Sequence, residues 1–278
     1  ATAEIISLLR GKPVFVDIDP VTYTIDPAHI EAAITERTKA IIPVSLFGQI
    51  PELEVINRIA RRNGVAVIED GCQSLGATRF GGQSCGLSDF GVTSFFPSKP
   101  LGCFGDGGAL FTDNDELATV CRELRAHGQT KRYVHSRIGT NARMDTLQAA
   151  VILGKLPHFD DEVTARARLG ERYSAALNDA VTTPVTGEGN THVYAQYSIQ
   201  VDDRPALVNA LKGEGIPTAV HYPVPLHRQA AFAPLGHSVG DFPVSEAVSE
   251  RIVSLPMSPF LSEGDQDRVI AAVRKAVL

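Results

Sequence analysis

The chain has 278 residues, of which 44% are hydrophobic and 21% charged, and its formal net charge is -6. The length allows one large domain and a smaller one, while the acidic balance and the lack of an apolar run of about 18 residues argue against a nucleic-acid groove and a membrane span. The four cysteines form neither a C-x-x-C pair nor a zinc pattern, which indicates reduced thiols in a cytoplasmic protein.

Apolar runs that are typical of strands alternate with amphipathic helical stretches through the first part of the chain. The predicted strands are PVFVDID (13–19), KAIIPVSLFG (39–48), VAVIED (65–70), GVTSFF (91–96) and GGALFT (107–112). Two helices are predicted between these strands, with a start signal at Asp26-Pro27 and a stop signal at Asn63-Gly64, and a third follows the last strand with a start signal at Asp113 with Glu116. Continuous apolar strands are buried on both faces, which predicts a mainly parallel sheet flanked by helices.

The pattern changes in the last part of the chain. HVYAQYSIQV (192–201) alternates like a half-buried strand, residues 205–215 predict a helix stopped by glycines, and a final helix begins near Ser262. We therefore predict an α/β protein with a large domain over residues 1–165 and a small C-terminal α+β domain over residues 166–278.

Two charged residues follow predicted strands. Asp70 ends VAVIED, and ligands of open α/β sheets bind outside the carboxyl ends of strands, although an acid there is as often a turn former. Lys99 follows GVTSFF and precedes a loop with four glycines, where a partly buried amine can form a Schiff base. A P-loop is excluded because this lysine precedes the glycines. A pyridoxal-phosphate (PLP) enzyme needs such a pair, a lysine that carries the cofactor and an acid at its pyridine nitrogen.

Six segments, in this order, resemble the DegT/DnrJ/EryC1/StrS family of sugar aminotransferases, which are fold type I PLP enzymes. They are PVFVDIDPVTYTIDP, SLFGQ, VIEDGCQSLGA, FGVTSFFPSKPLGCFGDGGAL, HGQTKRYVHSRIGTNARMDTLQAA and HYPVPLH. The lysine segment and RMDTLQAA are the most specific of the six. The resemblance also implies a further N-terminal portion ahead of Ala1, with a Gly-Thr turn at a helix start that binds the PLP phosphate.

The resemblance implies a cofactor site made of five residues. Lys99 matches the Schiff-base lysine and Asp70 the acid at the pyridine nitrogen. Gln73 matches the residue that packs beside the ring, and Ser94 matches a phosphate-binding hydroxyl. Asn141 matches a phosphate ligand that crosses from the partner subunit, which implies a homodimer with shared active sites. Gln73 and Ser94 have an alternative interpretation as ordinary hydrogen-bonding residues of a loop and a strand.

Further residues are candidates for the substrate. His221 and Tyr222 match residues that line the sugar-nucleotide pocket, with a structural corner before Pro223 as the alternative. Arg143 matches a region that reaches the neighbour's site, although it could equally serve a dimer salt bridge. Arg137, in the basic segment 127–139, could bind a diphosphate or a carboxylate, or that segment could be a solvated loop.

Within the family, the sequence resembles the branch that aminates C3 of a UDP-2-acetamido-2-deoxy-3-oxo-glucuronate with glutamate as donor, for O-antigen or related polysaccharides. The alternatives are a C4 aminotransferase of a dTDP- or UDP-linked 4-keto-6-deoxysugar, and a binding or regulatory protein that keeps the fold without turnover. A PLP-dependent sugar dehydratase of the same fold replaces the lysine with histidine, whereas this chain keeps Lys99.

Overall fold

The computed structural model describes residues 1–278, which form nine α-helices and ten short strands. The helices are α1 (Thr2–Leu8), α2 (Ile30–Ala33), α3 (Leu53–Asn63), α4 (Asp115–Arg125), α5 (Thr146–Lys155), α6 (Phe159–Leu177), α7 (Arg204–Gly213), α8 (Pro243–Arg251) and α9 (Glu263–Val277). The strands are β1 (Ala40–Ile41), β2 (Ala66–Asp70), β3 (Thr78–Arg79), β4 (Gly82–Gln83), β5 (Phe90–Ser94), β6 (Gly108–Phe111), β7 (Gln129–Lys131), β8 (Val134–His135), β9 (Tyr197–Gln200) and β10 (Ile252–Leu255). None of the helices combines the length and the apolar character that a membrane span needs.

The main sheet has the order β1-β2-β5-β6 and confirms the predicted fold class. β1, β2 and β5 run parallel, and β6 closes one edge antiparallel to β5. Asp70, the last residue of β2, is paired with Val92 of β5. Since the carboxyl ends of parallel strands lie at the same edge, the chain that follows β5 emerges beside Asp70.

Helix α3 explains how the sheet is covered. Its apolar residues recur at helical spacing, so that Leu53, Ile56 and Ile59 are buried in one cluster with Val67 of β2. The helix ends as predicted at Gly64, whose φ of 63° in the left-handed region suits a residue without a Cβ.

Three predictions of local structure were wrong. Residues 13–19 do not form a strand, because only the isolated bridge between Ile18 and Ile25 pairs this extended segment. In the 39–48 run the strand covers Ala40–Ile41 alone. An isolated parallel bridge then pairs Val44 with Asp70, and a 3-10 turn follows at Leu46–Gly48. Helix α4 is capped by Asn114 instead of Asp113, since the Asn114 side chain accepts hydrogen bonds from the Glu116 and Leu117 amides.

The C-terminal part has its own core. β9 and β10 pair antiparallel, and helices α6, α7 and α9 pack on them around Tyr173, Tyr197 and Leu211. The final helix begins at its cap Ser262 as predicted. The expected domain boundary at residue 165 falls inside α6, a helix that contributes Phe159 to one cluster and Tyr173 to this core. The division into two domains therefore stays a prediction.

Candidate active site

Asp70 and Lys99 lie at the same edge of the main sheet. Asp70 is the last residue of β2, and Lys99 follows the parallel neighbour β5 by five residues. Both side chains are half-buried. The Nζ atom of Lys99 makes no hydrogen bond or ion pair within the chain, so the amine is available to another group.

The Asp70 carboxylate is held at both of its oxygens. Oδ2 accepts a hydrogen bond from Thr2 Oγ1 at 2.5 Å, and Oδ1 accepts one from the Cys72 amide at 3.2 Å. The Thr2 contact brings helix α1 to the end of β2 across 68 residues of sequence. Two hydrogen bonds on different oxygens fix the orientation of the carboxylate.

The pKa of the Cys72 thiol depends on burial and on the charges of Asp70 and Lys99. Burial raises its pKa to about 12, the negative charge of Asp70 adds to this effect, and the positive charge of Lys99 opposes it. The Asp70 carboxylate and the Lys99 ammonium therefore both lie within electrostatic range of one sulfur atom. The raised pKa makes the Cys72 thiol a poor nucleophile at neutral pH.

The turn that carries Lys99 is tightly packed. The Lys99 amide donates to the carbonyl oxygen of Phe96 at 2.9 Å, and Lys155 Nζ donates to the carbonyl of Gly102 at 2.7 Å. A Cβ at Gly102 would lie 2.6 Å from the Pro97 carbonyl oxygen, so only glycine fits here. The glycine-rich loop thus serves as a close-fitting support behind the lysine.

Gln73 joins three parts of the chain at the site. Its Oε1 accepts a hydrogen bond from the Phe47 amide at 2.6 Å, and its Nε2 donates to the Tyr222 hydroxyl at 3.4 Å. Phe47 has a φ of 60°, which turns its amide toward the glutamine. The contact with Tyr222 brings the predicted HYPVPLH loop to the edge of the sheet where Asp70 lies.

His221 is positioned by a short chain of hydroxyl groups. Its Nδ1 lies 2.8 Å from Ser254 Oγ, which in turn lies 2.8 Å from Ser198 Oγ. Both serines are buried. Burial lowers the pKa of the His221 imidazole, so the ring is neutral at neutral pH and acts as a hydrogen-bonding group without a charge.

The remaining predicted site residues make no hydrogen bond to this group within the chain. Ser94 is half-buried at the end of β5, where its Oγ accepts from the Phe96 amide at 3.2 Å. Asn141 and Arg143 are exposed and make no hydrogen bond to the other predicted site residues. Arg137 pairs at the surface with Glu123, with Nε and Oε2 2.9 Å apart. Their predicted roles therefore stay predictions.

Sequence reasoning missed two residues at this site. Thr2 holds Asp70, and Phe47 holds Gln73 through its backbone amide. No local pattern identifies either one, because a threonine at the start of a helix and a phenylalanine in an apolar run have ordinary structural roles. Only the long-range packing of α1 and of the Leu46–Gly48 turn brings them to the sheet edge.

Known proteins match the chain over nearly its full length. Residues 1–274 match the model of the DegT/DnrJ/EryC1/StrS aminotransferase family. UDP-2-acetamido-2-deoxy-3-oxo-D-glucuronate aminotransferase of Pseudomonas aeruginosa is 50% identical over 274 residues, which are 98% of this chain and 76% of that protein. A DegT/DnrJ/EryC1/StrS aminotransferase from Brucella abortus superimposes with a TM-score of 0.95 at 44% identity, over 99% of this chain and 76% of that one. The structure of NtdA from Bacillus subtilis with its cofactor PMP bound gives a TM-score of 0.91 at 32% identity, over 99% of this chain and 65% of that one.

The sheet edge with its lysine and aspartate, together with these matches, defines the class of protein: the chain belongs to the DegT/DnrJ/EryC1/StrS aminotransferase family. More particularly, it is a PLP-dependent sugar aminotransferase with an α/β fold.

Proposed function

We propose that the enzyme transfers an amino group from glutamate to C3 of a UDP-2-acetamido-2-deoxy-3-oxo-glucuronate. The observation that carries this proposal is the placement of Lys99 and Asp70 at one sheet edge in a chain that is 50% identical to an aminotransferase named for that sugar. The uronate has two features that need recognition, a diphosphate and a carboxylate, and arginine binds both with paired hydrogen bonds.

The residues at the sheet edge fit PLP. The group needs an amine that can link to its aldehyde and an anion that faces its ring nitrogen, and Lys99 and Asp70 supply one of each. The Lys99 amine has no competing partner in the chain, and the Asp70 carboxylate is directed by Thr2 and Cys72. When bound, PLP supplies an electron-accepting ring that stabilises negative charge at the substrate carbon.

The protein's own side chains bind the cofactor and transfer the protons. Lys99 would bind the cofactor and, as a free amine, would move a proton to and from the substrate carbon. Asp70 would hold the proton on the ring nitrogen through its negative charge, with little reorganisation because both of its oxygens are already oriented. Gln73 would pack beside the ring, and Ser94 would donate a hydrogen bond to the phosphate.

The sugar nucleotide is assigned to the loop that contains His221 and Tyr222. Tyr222 already meets Gln73, so a sugar bound at this loop lies beside the ring. The neutral His221 imidazole, oriented by Ser254, offers a directed hydrogen bond without a charge that would attract unrelated anions. We assign Arg137 and Arg143 to the diphosphate or the carboxylate.

We propose a homodimer in which Asn141 and Arg143 complete the partner's site. The support is that these side chains are exposed and make no hydrogen bond to the other site residues of their own chain. Large apolar side chains near this segment are also exposed, with Phe104 and Leu147 at 80% and Ile138 at 97%. An apolar surface of that kind is typical of an interface.

Four free cysteines support a cytoplasmic location, and the proposed product suits the synthesis of O-antigen or a related polysaccharide. The C4 amination of a 4-keto-6-deoxysugar is the alternative reaction. A 4-keto-6-deoxysugar has no carboxylate. The basic residues of segment 127–143 would then bind the diphosphate alone.

The test is a panel of UDP- and dTDP-linked 3-keto and 4-keto sugars with glutamate, with products read by mass spectrometry. We expect an amino group on C3 of the UDP-uronate, formed together with 2-oxoglutarate. Turnover of the 4-keto-6-deoxysugars alone would overturn the substrate assignment. If glutamate does not convert the bound cofactor to its amino form, the alternative of a binding or regulatory protein without turnover replaces the proposed transamination.

A further inference from the structure

A buried carboxylate neighbours Asp70, the acid that we propose faces the cofactor ring. Glu69 precedes Asp70 in β2 and is completely buried. Successive residues of a strand point to opposite faces, so the Glu69 side chain points to the face of the sheet opposite that of Asp70. The proposed chemistry does not use this residue.

The groups around Glu69 are hydrogen-bond donors. Oε1 accepts from Ser84 Oγ at 2.9 Å and from Ser45 Oγ at 3.3 Å, and Oε2 accepts from the Cys85 amide at 2.9 Å. No lysine or arginine forms an ion pair with it. Burial raises the pKa of the Glu69 carboxyl, while the hydrogen bonds from Cys85, Ser84 and Ser45 oppose that shift. In all three contacts a carboxylate oxygen is the acceptor, and the ionised form accepts on both of its oxygens at once.

Each of these donors belongs to a segment that supports the site. Ser45 also donates its amide to the carbonyl of Asp70 at 3.0 Å, two residues before the Phe47 amide that holds Gln73. Ser84 Oγ lies 2.6 Å from the hydroxyl of Ser74, which follows Gln73. The carboxylate therefore joins the two segments that flank Asp70 and Gln73.

The turn between these site residues has no spare room. A Cβ at Gly71 would lie 2.4 Å from Cys85 Sγ and 2.9 Å from Ser84 Oγ. Any shift of the segment around Ser84 and Cys85 therefore reaches the Asp70–Gln73 turn directly. Burying an anion without a cation costs free energy, and an apolar residue of similar size would avoid that cost.

We propose that Glu69 is a positioning residue that fixes the directions of Asp70 and Gln73 toward the ring. It acts through Ser45, Ser84 and the Cys85 amide, which converge on its two oxygens. The inference rests on the proposed role of Asp70. A glutamine at this position replaces one acceptor oxygen with an amide NH2. Either the Cys85 amide then loses its acceptor, or Ser45 and Ser84 must turn their hydroxyl groups to accept from the glutamine.

The test compares Glu69→Gln with Glu31→Gln, a control at an exposed glutamate that pairs with Arg62 at the surface. Three quantities are measured: the Kd of the apoprotein for PLP, the visible circular dichroism of bound PLP at saturation, and kcat. We expect Glu69→Gln to raise the Kd about tenfold, to change the dichroism at saturation and to lower kcat about tenfold, because displacements below 1 Å have effects of this size. The control should match the wild type in all three.

A purely structural role would lower the melting temperature but leave the saturated dichroism and kcat at wild-type values, and that result overturns the inference. If Glu69→Gln does not fold, Ser45→Ala and Ser84→Ala each remove one donor and keep the carboxylate. Each is expected to raise the Kd about threefold and to alter the dichroism. Wild-type values for both serine variants would also overturn it.

Asp70→Asn separates this inference from the proposed site. If Asp70→Asn changes the dichroism of bound PLP and Glu69→Gln does not, only the role of Glu69 fails. If Asp70→Asn leaves the dichroism unchanged, the assignment of the acid itself fails, and the role of Glu69 fails with it.

Discussion

Gly102→Ala perturbs the Lys99 turn without removing any functional group. The added Cβ would lie 2.6 Å from the Pro97 carbonyl oxygen and 2.9 Å from that of Phe96. Both obstacles are backbone atoms, so no side chain can rotate away to relieve the clash. The Phe96 carbonyl is also the acceptor of the Lys99 amide, which transmits the displacement to the lysine.

The size of the effect follows from this geometry. An ordinary carbon–oxygen contact is about 3.3 Å, so the turn must move by roughly 0.7 Å to accept the methyl group. Overpacking of this kind costs about 2 kcal/mol, which for a chain of this length lowers the melting temperature by roughly 3–4 °C. A displacement of about 1 Å at reacting groups can cost a hundredfold in rate, so we expect kcat/KM to fall about 10- to 100-fold.

The assay combines thermal unfolding of the apoprotein, steady-state kinetics with glutamate, and borohydride reduction followed by mass spectrometry to measure the fraction of Lys99 that carries PLP. Gly154→Ala is the matched control, since Gly154 lies in α5 with open space around its Cβ position. Alanine there should stabilise the helix by up to about 1 kcal/mol and leave kcat/KM unchanged. Wild-type stability and activity in Gly102→Ala would refute the idea that the loop supports the lysine.

Three further outcomes test the site and the fold. Lys99→Ala should lose covalent attachment of PLP in the borohydride experiment and at least about 100-fold in turnover, so retained turnover contradicts its role. Asp17 is 8% exposed. Burial raises the pKa of its carboxyl group, but hydrogen bonds from Ser245, Ile18 and Val244 outweigh this effect, so the pKa lies below its usual value. Its stabilising effect is therefore present above the unfolded pKa of about 3.9 and is lost as the pH falls through the lower folded pKa. Asp17→Asn should cost about 2 kcal/mol in urea unfolding at pH 7 and weaken the pH dependence below about pH 4, whereas an unchanged profile contradicts this. Cys72, whose pKa is raised to about 12, should react with iodoacetamide at pH 7 much more slowly than a free thiol in the same solution, and equal rates would contradict its burial.

Periodicity predicted the elements of the sheet well where the chain is buried on both faces. VAVIED and GVTSFF became β2 and β5, because an apolar run flanked by turn residues has few alternatives in a packed α/β core. PVFVDID is a similarly apolar run and did not become a strand, since only the isolated bridge between Ile18 and Ile25 pairs it. Whether a segment pairs with a neighbouring strand depends on the whole fold and cannot be read from the segment alone.

The same distinction applies to the candidate site. Asp70 and Lys99 were identified from their positions after apolar strands and from the resemblance to a family, and β2 and β5 place them at one edge. Thr2 was not identified, because its partner lies 68 residues away and helix α1 brings it there. Glu69 is visible in the sequence as a charged residue inside an apolar run. Its hydrogen-bond donors could not be identified there, because they lie 15 to 24 residues away in the chain.

The sequence by itself determined the class of chemistry, because a lysine and an aspartate that both follow strands in a recognisable set of motifs are local features. The tertiary structure decided how those groups are held: which hydroxyl orients the Asp70 carboxylate, which amide fixes Gln73, and why the Lys99 turn needs glycine at 102. The physical reason is that hydrogen bonds and steric contacts of this kind join residues far apart in the chain, and their partners are selected only when the elements pack.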